Sequence, residues 1–270
     1  MELLQQTQNC SDFDIIPDGE ITPAFRVLLP EWIKGNGVKH TGLLHVIPGT
    51  WKRKNSGMEG QFPVDDQLTI KVAIEGRSNE IGVTLTVVNT SHRRLTDLWA
   101  NICTSLNHLP GNPDWCNKHF LPDMEPDRYL QGRCWYEKIT PTRLFALTGS
   151  GWICMHPAPD APIADRVPLV SFQPSSEADA YACAVESLEG GRFFFQTWLT
   201  HCRWCTPCPE NACMHLEPFL TDILAPGKSA TIQGKIGIHR GTRKSLEEHI
   251  ALFRAAGRQA RQVVRKKIEL

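Results

Sequence analysis

Strict alternation of apolar and polar residues in several short segments constrains the fold more than any other feature of this sequence. The segments 68–74, 82–89 and 230–238 each place apolar residues at every second position. Successive side chains of a β-strand point to opposite faces, so each segment has one face for a core and one for water. No helical pattern separates neighbouring strands, which argues against the βαβ units of a parallel sheet. The sequence therefore predicts a mainly β protein, an antiparallel β-sandwich.

Shorter or wholly apolar runs extend this prediction along the chain. Further strands are expected at 41–47, 98–106, 144–147, 152–155, 180–187 and 193–200. Residues 1–35 are predicted to be irregular, because Pro30 stops a short apolar run there. We expect one β-sandwich domain over residues 1–241, followed by a helix over residues 242–270 that packs on it.

The predicted helix has its own start signal. Ser245 with Glu248 fits a capping box, and Leu246, Ile250 and Phe253 follow at helical spacing. Basic residues crowd its last turns, where cations suit the helix dipole. This basic tail is interpreted as a solvated helix face, since the rest of the chain adds no further basic surface.

Charge and composition narrow the classes of partner. Lys and Arg total 29 and Asp and Glu total 29, so no global basic field favours nucleic acid. No apolar run approaches the length of about 18 residues that spans a membrane. The first residues show no cationic segment followed by an apolar one, as a secretory signal would. With ten cysteines, we expect a cytoplasmic protein whose thiols are free or bind metal. Its oligomeric state is left open.

Four of the cysteines lie in one short segment with the spacing of metal ligands. The predicted ligands are Cys202, Cys205, Cys208 and Cys213, with His201 or His215 as alternates. Thiolates with two residues between them can bind one Zn²⁺ ion or an iron–sulfur cluster, and zinc is favoured here. The alternative is a loop of free thiols held by Pro207 and Pro209.

Three functional side chains follow at a spacing of two. Cys213, His215 and Glu217 would share one face of a strand, with Met214 and Leu216 on the other. Histidine titrates near neutral pH and a carboxylate can orient it, so His215 and Glu217 are the predicted catalytic acid/base pair. Cys213 as a nucleophile and His215 as a purely structural residue are the alternatives.

A long proline-interrupted segment at 108–141 is predicted to be a binding loop over this face. Its Trp115, Tyr129, Arg133 and Trp135 are the residue types that stack on and clamp a polar ligand.

Asn101 is the predicted contribution of a neighbouring strand. Cys103 lies two residues further along and shares its face. The alternative is that Asn101 is a buried amide that satisfies the backbone.

The segment CMHLEPFLTDILAPGKSATIQGKI resembles the C-terminal strand pair of a group of uncharacterised bacterial β-sandwich proteins. VTLTVVNTS followed by LWANIC is similar to their central strands. More distantly, the arrangement resembles the galactose mutarotase-like supersandwich, in which sugars lie on a concave sheet lined by histidines and acids. The resemblance implies a galactose mutarotase-like supersandwich fold and a carbohydrate ligand.

Two functions from different classes follow from these observations. The first is a carbohydrate- or polyol-active enzyme of epimerase, lyase or hydrolase type that uses His215 and Glu217 as its acid/base pair. Such an enzyme could work with or without a bound metal ion. The second is a non-catalytic β-sandwich protein that binds a sugar or a metal ion. One fold hosts many functions, so the fold alone does not choose between them.

Overall fold

Two antiparallel β-sheets and one C-terminal helix make up the part of the chain described by the structure, a computed structural model. The described residues are 2–5, 12–16, 25–39, 47–54, 57–77, 79–105, 144–148, 151–154, 180–186, 191–202, 207–208 and 213–268. The prediction of a mainly antiparallel β-sandwich with a C-terminal helix is confirmed. No helix in the described part of the chain combines the length and apolar character needed to cross a membrane.

The elements run in chain order as follows: β1 (Glu2–Gln5), β2 (Asp12–Ile16), β3 (Phe25–Asn36), β4 (Thr50–Lys54), β5 (Gly57–Val64), β6 (Leu68–Arg77), β7 (Glu80–Asn89), β8 (Leu95–Ser105), β9 (Leu144–Thr148), β10 (Gly151–Cys154), β11 (Ala180–Glu186), β12 (Arg192–Cys202), β13 (Pro207–Cys208), β14 (Cys213–Leu216), β15 (Phe219–Leu224), β16 (Ser229–Arg240) and α1 (Arg243–Ile268).

Within the described residues, one sheet has seven strands and the other has nine. The seven-stranded sheet has the order β1-β2-β3-β8-β14-β13, and β15 also pairs with β8 beyond the end of β14. The nine-stranded sheet has the order β10-β9-β11-β12-β16-β7-β6-β5-β4. Strand β8 therefore pairs with β3 on one side and with β14 and β15 on the other.

The main apolar core lies between the two sheets. The nine-stranded sheet contributes the buried positions of the alternating segments, such as Val72, Leu85 and Ile232. From the seven-stranded sheet, Ile102 and Leu216 reach the same core with no exposed surface. The apolar residues of the alternating segments thus form the buried layer between the sheets. This layer fixes the strand register, since a slip of one residue would expose those apolar side chains to water.

A second apolar cluster lies beneath α1, on the other face of the nine-stranded sheet. Phe194 of β12 joins the main core, while Phe193 and Phe195 pack with Leu246 and Ile250 of the helix. Strand β12 is buried on both faces from Phe193 to Trp198, which explains why its three consecutive phenylalanines do not alternate with polar residues.

The cap of the helix is Thr242, three residues before the predicted cap at Ser245. The Thr242 hydroxyl accepts a hydrogen bond from the Ser245 backbone N–H at 3.2 Å, and Ser245 Oγ accepts one from the Thr242 N–H at 2.9 Å. This is the reciprocal geometry of a capping box, with Thr242 as the cap. The cap assigned to Ser245 with Glu248 was wrong because serine here fills the third helical position, where glutamate is the usual residue.

The N-terminal prediction of irregular structure was also wrong. Residues 2–5, 12–16 and 25–36 are strands, and Pro30 lies within β3. The pairing of β3 with β8 shifts register around that proline, so β3 tolerates a residue without a backbone N–H. The strand predicted at 41–47 and the loop predicted at 108–141 lie outside the described residues, apart from Ile47.

An ionic cluster ties α1 to the nine-stranded sheet. Glu80, at the start of β7, accepts a hydrogen bond from Lys235 of β16, and its Oε2 lies 2.7 Å from His249 Nε2 of the helix. Burial raises the pKa of Glu80, but the hydrogen bonds and charges of His249 and Lys235 outweigh burial and lower that pKa from 4.5 to about 2. The folded state therefore favours the ionised carboxylate.

We predict that Glu80 makes stability depend on acid pH. A group whose pKa falls on folding stabilises the protein fully above its unfolded pKa, so this contribution is lost as the pH falls from about 4.5 towards 2. Glu80→Gln should lower the free energy of unfolding at neutral pH by about 1–3 kcal/mol, the range for hydrogen bonds to charged groups. Denaturant unfolding at a series of pH values measures both effects.

Glu75→Gln is the matched control, because Glu75 is an exposed acid on the adjacent strand. Its unfolding should follow the wild-type pH curve. If the free energy of unfolding of Glu80→Gln falls with acid pH as steeply as that of the wild-type protein, the proposed role of Glu80 is contradicted.

Candidate functional site

The face of the seven-stranded sheet that points away from the main core carries a row of polar and aromatic side chains. We call it the outer face, defined on β8 by Trp99, Asn101 and Cys103. Their neighbours in register are His215 for Cys103 and Trp32 for Asn101. Residues directly opposite each other on neighbouring strands share a face, so these side chains form one surface.

Alternation around Leu216 places the two predicted catalytic residues on this outer face. Leu216 has no exposed surface and joins the core between the sheets. Its neighbours His215 and Glu217 instead contact outer-face residues, and their exposed fractions are 8% and 2%. The predicted pair is thus placed together and is largely withdrawn from water.

Three donors hold one oxygen of the Glu217 carboxylate. Glu217 Oε1 accepts hydrogen bonds from Lys34 Nζ at 2.9 Å, Asn101 Nδ2 at 3.2 Å and Trp32 Nε1 at 3.3 Å. Lys34 Nζ also lies 5.0 Å from the centroid of the Trp32 ring. The cation and the two N–H donors offset the free-energy cost of removing the Glu217 carboxylate from water. They also hold the carboxylate in one orientation.

The remaining oxygens of this network have unused acceptor capacity. Glu217 Oε2 and Asn101 Oδ1 are buried and accept no hydrogen bond from any residue that the structure describes. Buried acceptors in proteins are nearly always satisfied. Both atoms therefore keep the capacity to accept a further hydrogen bond.

A second group of side chains, Glu31, Cys103 and His215, lies next to the Glu217 network on the same outer face. His215 Nε2 is 3.3 Å from Glu31 Oε2, and the Cys103 thiol lies with them so that the three ligand atoms are all within 4.8 Å of one another. The Trp32 ring is tilted against the His215 ring with centroids 6.0 Å apart. An imidazole next to a carboxylate and a thiol can transfer protons or bind a metal ion.

An aromatic patch borders the site where β12 ends. His201 stacks on Phe219 with centroids 4.7 Å apart, and the Trp99 ring meets both edge-on. A backbone bridge between Cys202 and Pro218 brings this end of β12 next to β15. The described position of His201 is thus in a ring cluster and is largely exposed.

The predicted cysteine ligands are only partly within the described residues. Cys202 is buried in the main core, where its thiol points to the Thr200 carbonyl oxygen at 3.8 Å. Cys208 and Cys213 face each other across β13 and β14. Their side chains, and the whole of Cys205, lie outside the described residues, so metal binding by this segment stays a prediction.

The predicted ligand-clamping residues Trp115, Tyr129, Arg133 and Trp135 also lie outside the described residues. Asn101 is within them, and the structure places it in the centre of the Glu217 network.

Sequence reasoning missed the residues that β3 contributes. Glu31, Trp32 and Lys34 all contact the predicted pair, yet their segment was predicted to be irregular. The available signal was the spacing of two between Trp32 and Lys34, on either side of the buried Ile33. Pro30 obscured it, because proline usually ends a strand.

Comparisons with known proteins were made at three levels. No model of a known protein family matches the chain, and a search of curated proteins finds no match. Among solved structures, a galactose mutarotase-related enzyme from Lactobacillus acidophilus is 10% identical with a TM-score of 0.41, covering 89% of this chain and 98% of that chain. A putative aldose 1-epimerase from Escherichia coli is 11% identical with a TM-score of 0.40, covering 81% of this chain and 84% of that chain.

An aldose epimerase homologue from C. elegans is 10% identical with a TM-score of 0.42, covering 89% of this chain and 98% of that chain. These three names fall in the mutarotase-like group of the distant resemblance, while the motif quoted from residues 213–236 is not tested by them. At these identities and TM-scores, the function of the site has to be argued from its own residues.

We predict that Lys34 and Glu217 are energetically coupled. A double-mutant cycle of Lys34→Met and Glu217→Gln, read from denaturant unfolding, should give a coupling energy of about 1–2 kcal/mol, because Glu217 is almost fully buried while Lys34 is partly exposed. The control cycle uses the exposed pair Lys39 and Asp66, 3.7 Å apart. It should give less than about 0.5 kcal/mol. Equal coupling energies in the two cycles would mean that the network does not hold Glu217.

Proposed function

We propose that the outer face binds a carbohydrate or related polyol and that His215 and Glu217 perform proton transfer on it. The observation that carries this proposal is the state of the Glu217 carboxylate. One of its oxygens is held by three donors, whereas the other accepts no hydrogen bond from the described residues, and neither does the Asn101 side-chain oxygen. A site built to bind a group with several hydroxyls needs such oriented acceptors.

A polyol suits these acceptors better than other ligands of similar size. Neighbouring hydroxyl groups can each donate to a separate acceptor, here Glu217 Oε2 and Asn101 Oδ1. The rings of Trp32, Trp99 and Phe219 offer apolar surfaces for the C–H faces of a sugar ring. An anionic ligand is less suited, since Glu217 and Glu31 already place negative charge on this face.

The proposed chemistry depends on a carboxylate, Glu217, and an imidazole, His215, that lie on the same face. Glu217 is held in place by Lys34 and Asn101, and His215 Nε2 lies 3.3 Å from Glu31 Oε2, within reach of an ion pair when the imidazole is protonated. A carboxylate and an imidazole on one face can remove a proton from a carbon or hydroxyl group and return one to the neighbouring atom. Epimerase, lyase and hydrolase reactions on sugars all use this step, and the class of enzyme is proposed at that level.

The second candidate function is a non-catalytic sugar-binding protein. The same acceptors and rings would serve it, because recognition of hydroxyl groups needs no proton transfer. The feature that favours the enzyme is the imidazole of His215, a group suited to proton transfer, which lies on the same face as Glu217 and 3.3 Å from the Glu31 carboxylate.

We predict that His215→Ala and Glu217→Gln each reduce turnover by about 100- to 10,000-fold, the usual contribution of a positioned acid or base. The substrate is sought by incubating wild-type protein with a panel of aldoses, sugar acids and polyols. NMR detects exchange of a carbon-bound proton, change of configuration and bond cleavage in one measurement, and titration calorimetry detects binding.

His92→Ala is the control, because His92 is an exposed histidine in the connection between β7 and β8. It should retain wild-type turnover. Binding without turnover, weakened in His215→Ala, would establish the sugar-binding alternative. If both site variants keep wild-type binding and turnover, the proposed site is wrong.

A further inference from the structure

Three adjacent strands bring three different metal-ligand groups together on the outer face. Glu31 comes from β3, Cys103 from β8 and His215 from β14. Cys103 and His215 are direct partners in the register of β8 and β14. Glu31 joins them where the pairing of β3 with β8 shifts register, between Leu28 and Trp32. The convergence therefore depends on long-range strand pairing and is independent of the cysteine segment at residues 202–213.

The distances within this group suit a single small ion. Ligand atoms bound tetrahedrally to Zn²⁺ at about 2.0–2.3 Å lie roughly 3.3–3.8 Å from one another. His215 Nε2 and Glu31 Oε2 are 3.3 Å apart, and the Cys103 sulfur lies within 4.8 Å of both. No separation in the group exceeds the tetrahedral range by more than about 1 Å.

The chemistry of the three groups selects the ion. A thiolate, an imidazole and a carboxylate form a mixed sulfur, nitrogen and oxygen set, which Zn²⁺ accepts and which Mg²⁺ and Ca²⁺ do not. Bound as thiolate and carboxylate, Cys103 and Glu31 together carry two negative charges that balance the ion. The site is then neutral overall, as burial requires, since Cys103 is 1% exposed and the His215 side chain 10% exposed.

We propose that Glu31, Cys103 and His215 bind one Zn²⁺ ion on the outer face. Three protein ligands leave a fourth coordination position, the pattern of zinc sites that take part in reactions. The Glu31 side chain, 16% exposed, gives the most open approach among the three ligands. Binding releases the thiol proton of Cys103 to solvent, so affinity should rise with pH.

This inference needs no sugar ligand, but it changes one role in the proposed function. In the zinc-bound protein, His215 Nε2 would hold the ion and could not transfer a proton, so the acid/base role would fall to Glu217. Zinc binding is measured without any sugar, so its failure and the failure of the sugar proposal are separate results.

The experiment titrates Zn²⁺ into the full-length chain after treatment with a chelator and exchange into metal-free buffer. Wild-type protein should bind one equivalent through this site. Cys103→Ser and His215→Gln should each weaken that binding by more than about 100-fold, since even partners of metal ligands contribute 10- to 100-fold. Cys183→Ala, which removes another buried thiol of the described chain, should retain wild-type affinity. Cys205→Ser tests the cysteine segment and should also retain this site.

X-ray absorption at the zinc edge of wild-type protein gives a test that needs no variant to fold. The proposed site predicts one sulfur at about 2.3 Å with nitrogen and oxygen ligands at about 2.0–2.2 Å. A shell of three or four sulfurs around the single bound ion would assign the zinc to the cysteine segment and overturn the proposal. Absence of stoichiometric zinc binding by the wild-type chain would overturn it as well.

Discussion

The two faces of strand β8 organise both the sandwich and the candidate site. Leu98, Ala100 and Ile102 have no exposed surface and lie in the core between the sheets. Because a strand alternates, the residues between them have to point the other way. Burial of the apolar set thus determines where Asn101 and Cys103 lie, and a slip of one residue would bury the polar set in the core at a large cost.

A polar row beside an apolar core is stable only if its own charges are compensated. Glu217 is almost fully buried, and Lys34 together with the Asn101 and Trp32 N–H groups supplies that compensation on one oxygen. These donors come from β3 and β8, so the network crosses two strand boundaries. It therefore forms only when the seven-stranded sheet has its native register, which links the integrity of the site to the fold.

How much the sequence could predict differs between the two faces of this sheet. The alternation of Leu216 with His215 and Glu217 was readable, because it depends only on the geometry of one strand. The convergence of Glu31 on His215 was not readable, since it depends on a register shift between β3 and β8 near Pro30. No local pattern encodes which strands become neighbours when they are distant in sequence.

The same limit explains the errors at the two ends of the chain. The cap of α1 was predicted three residues late because Ser245 and Thr242 both carry cap-forming hydroxyls, and only backbone geometry distinguishes them. The start of the chain was predicted to be irregular because proline was weighted above the alternation on either side of it. In both cases the general preference of a residue type, serine for a helix cap and proline for a strand end, gave way to the contacts that the folded chain makes.

Two glutamates with little exposed side-chain surface differ in how their carboxylate oxygens are used. Both oxygens of Glu80 are occupied, by Lys235 and His249, and these partners lower its pKa to about 2. Nothing in that cluster is left over for a ligand, so its effect is to hold α1 on the sheet. Glu217 has all of its described donors on one oxygen, while its other oxygen is buried and accepts no hydrogen bond from a described residue. A carboxylate that is oriented by donors on one oxygen keeps its other oxygen for a further donor, and this difference is the reason for proposing a ligand site on the outer face.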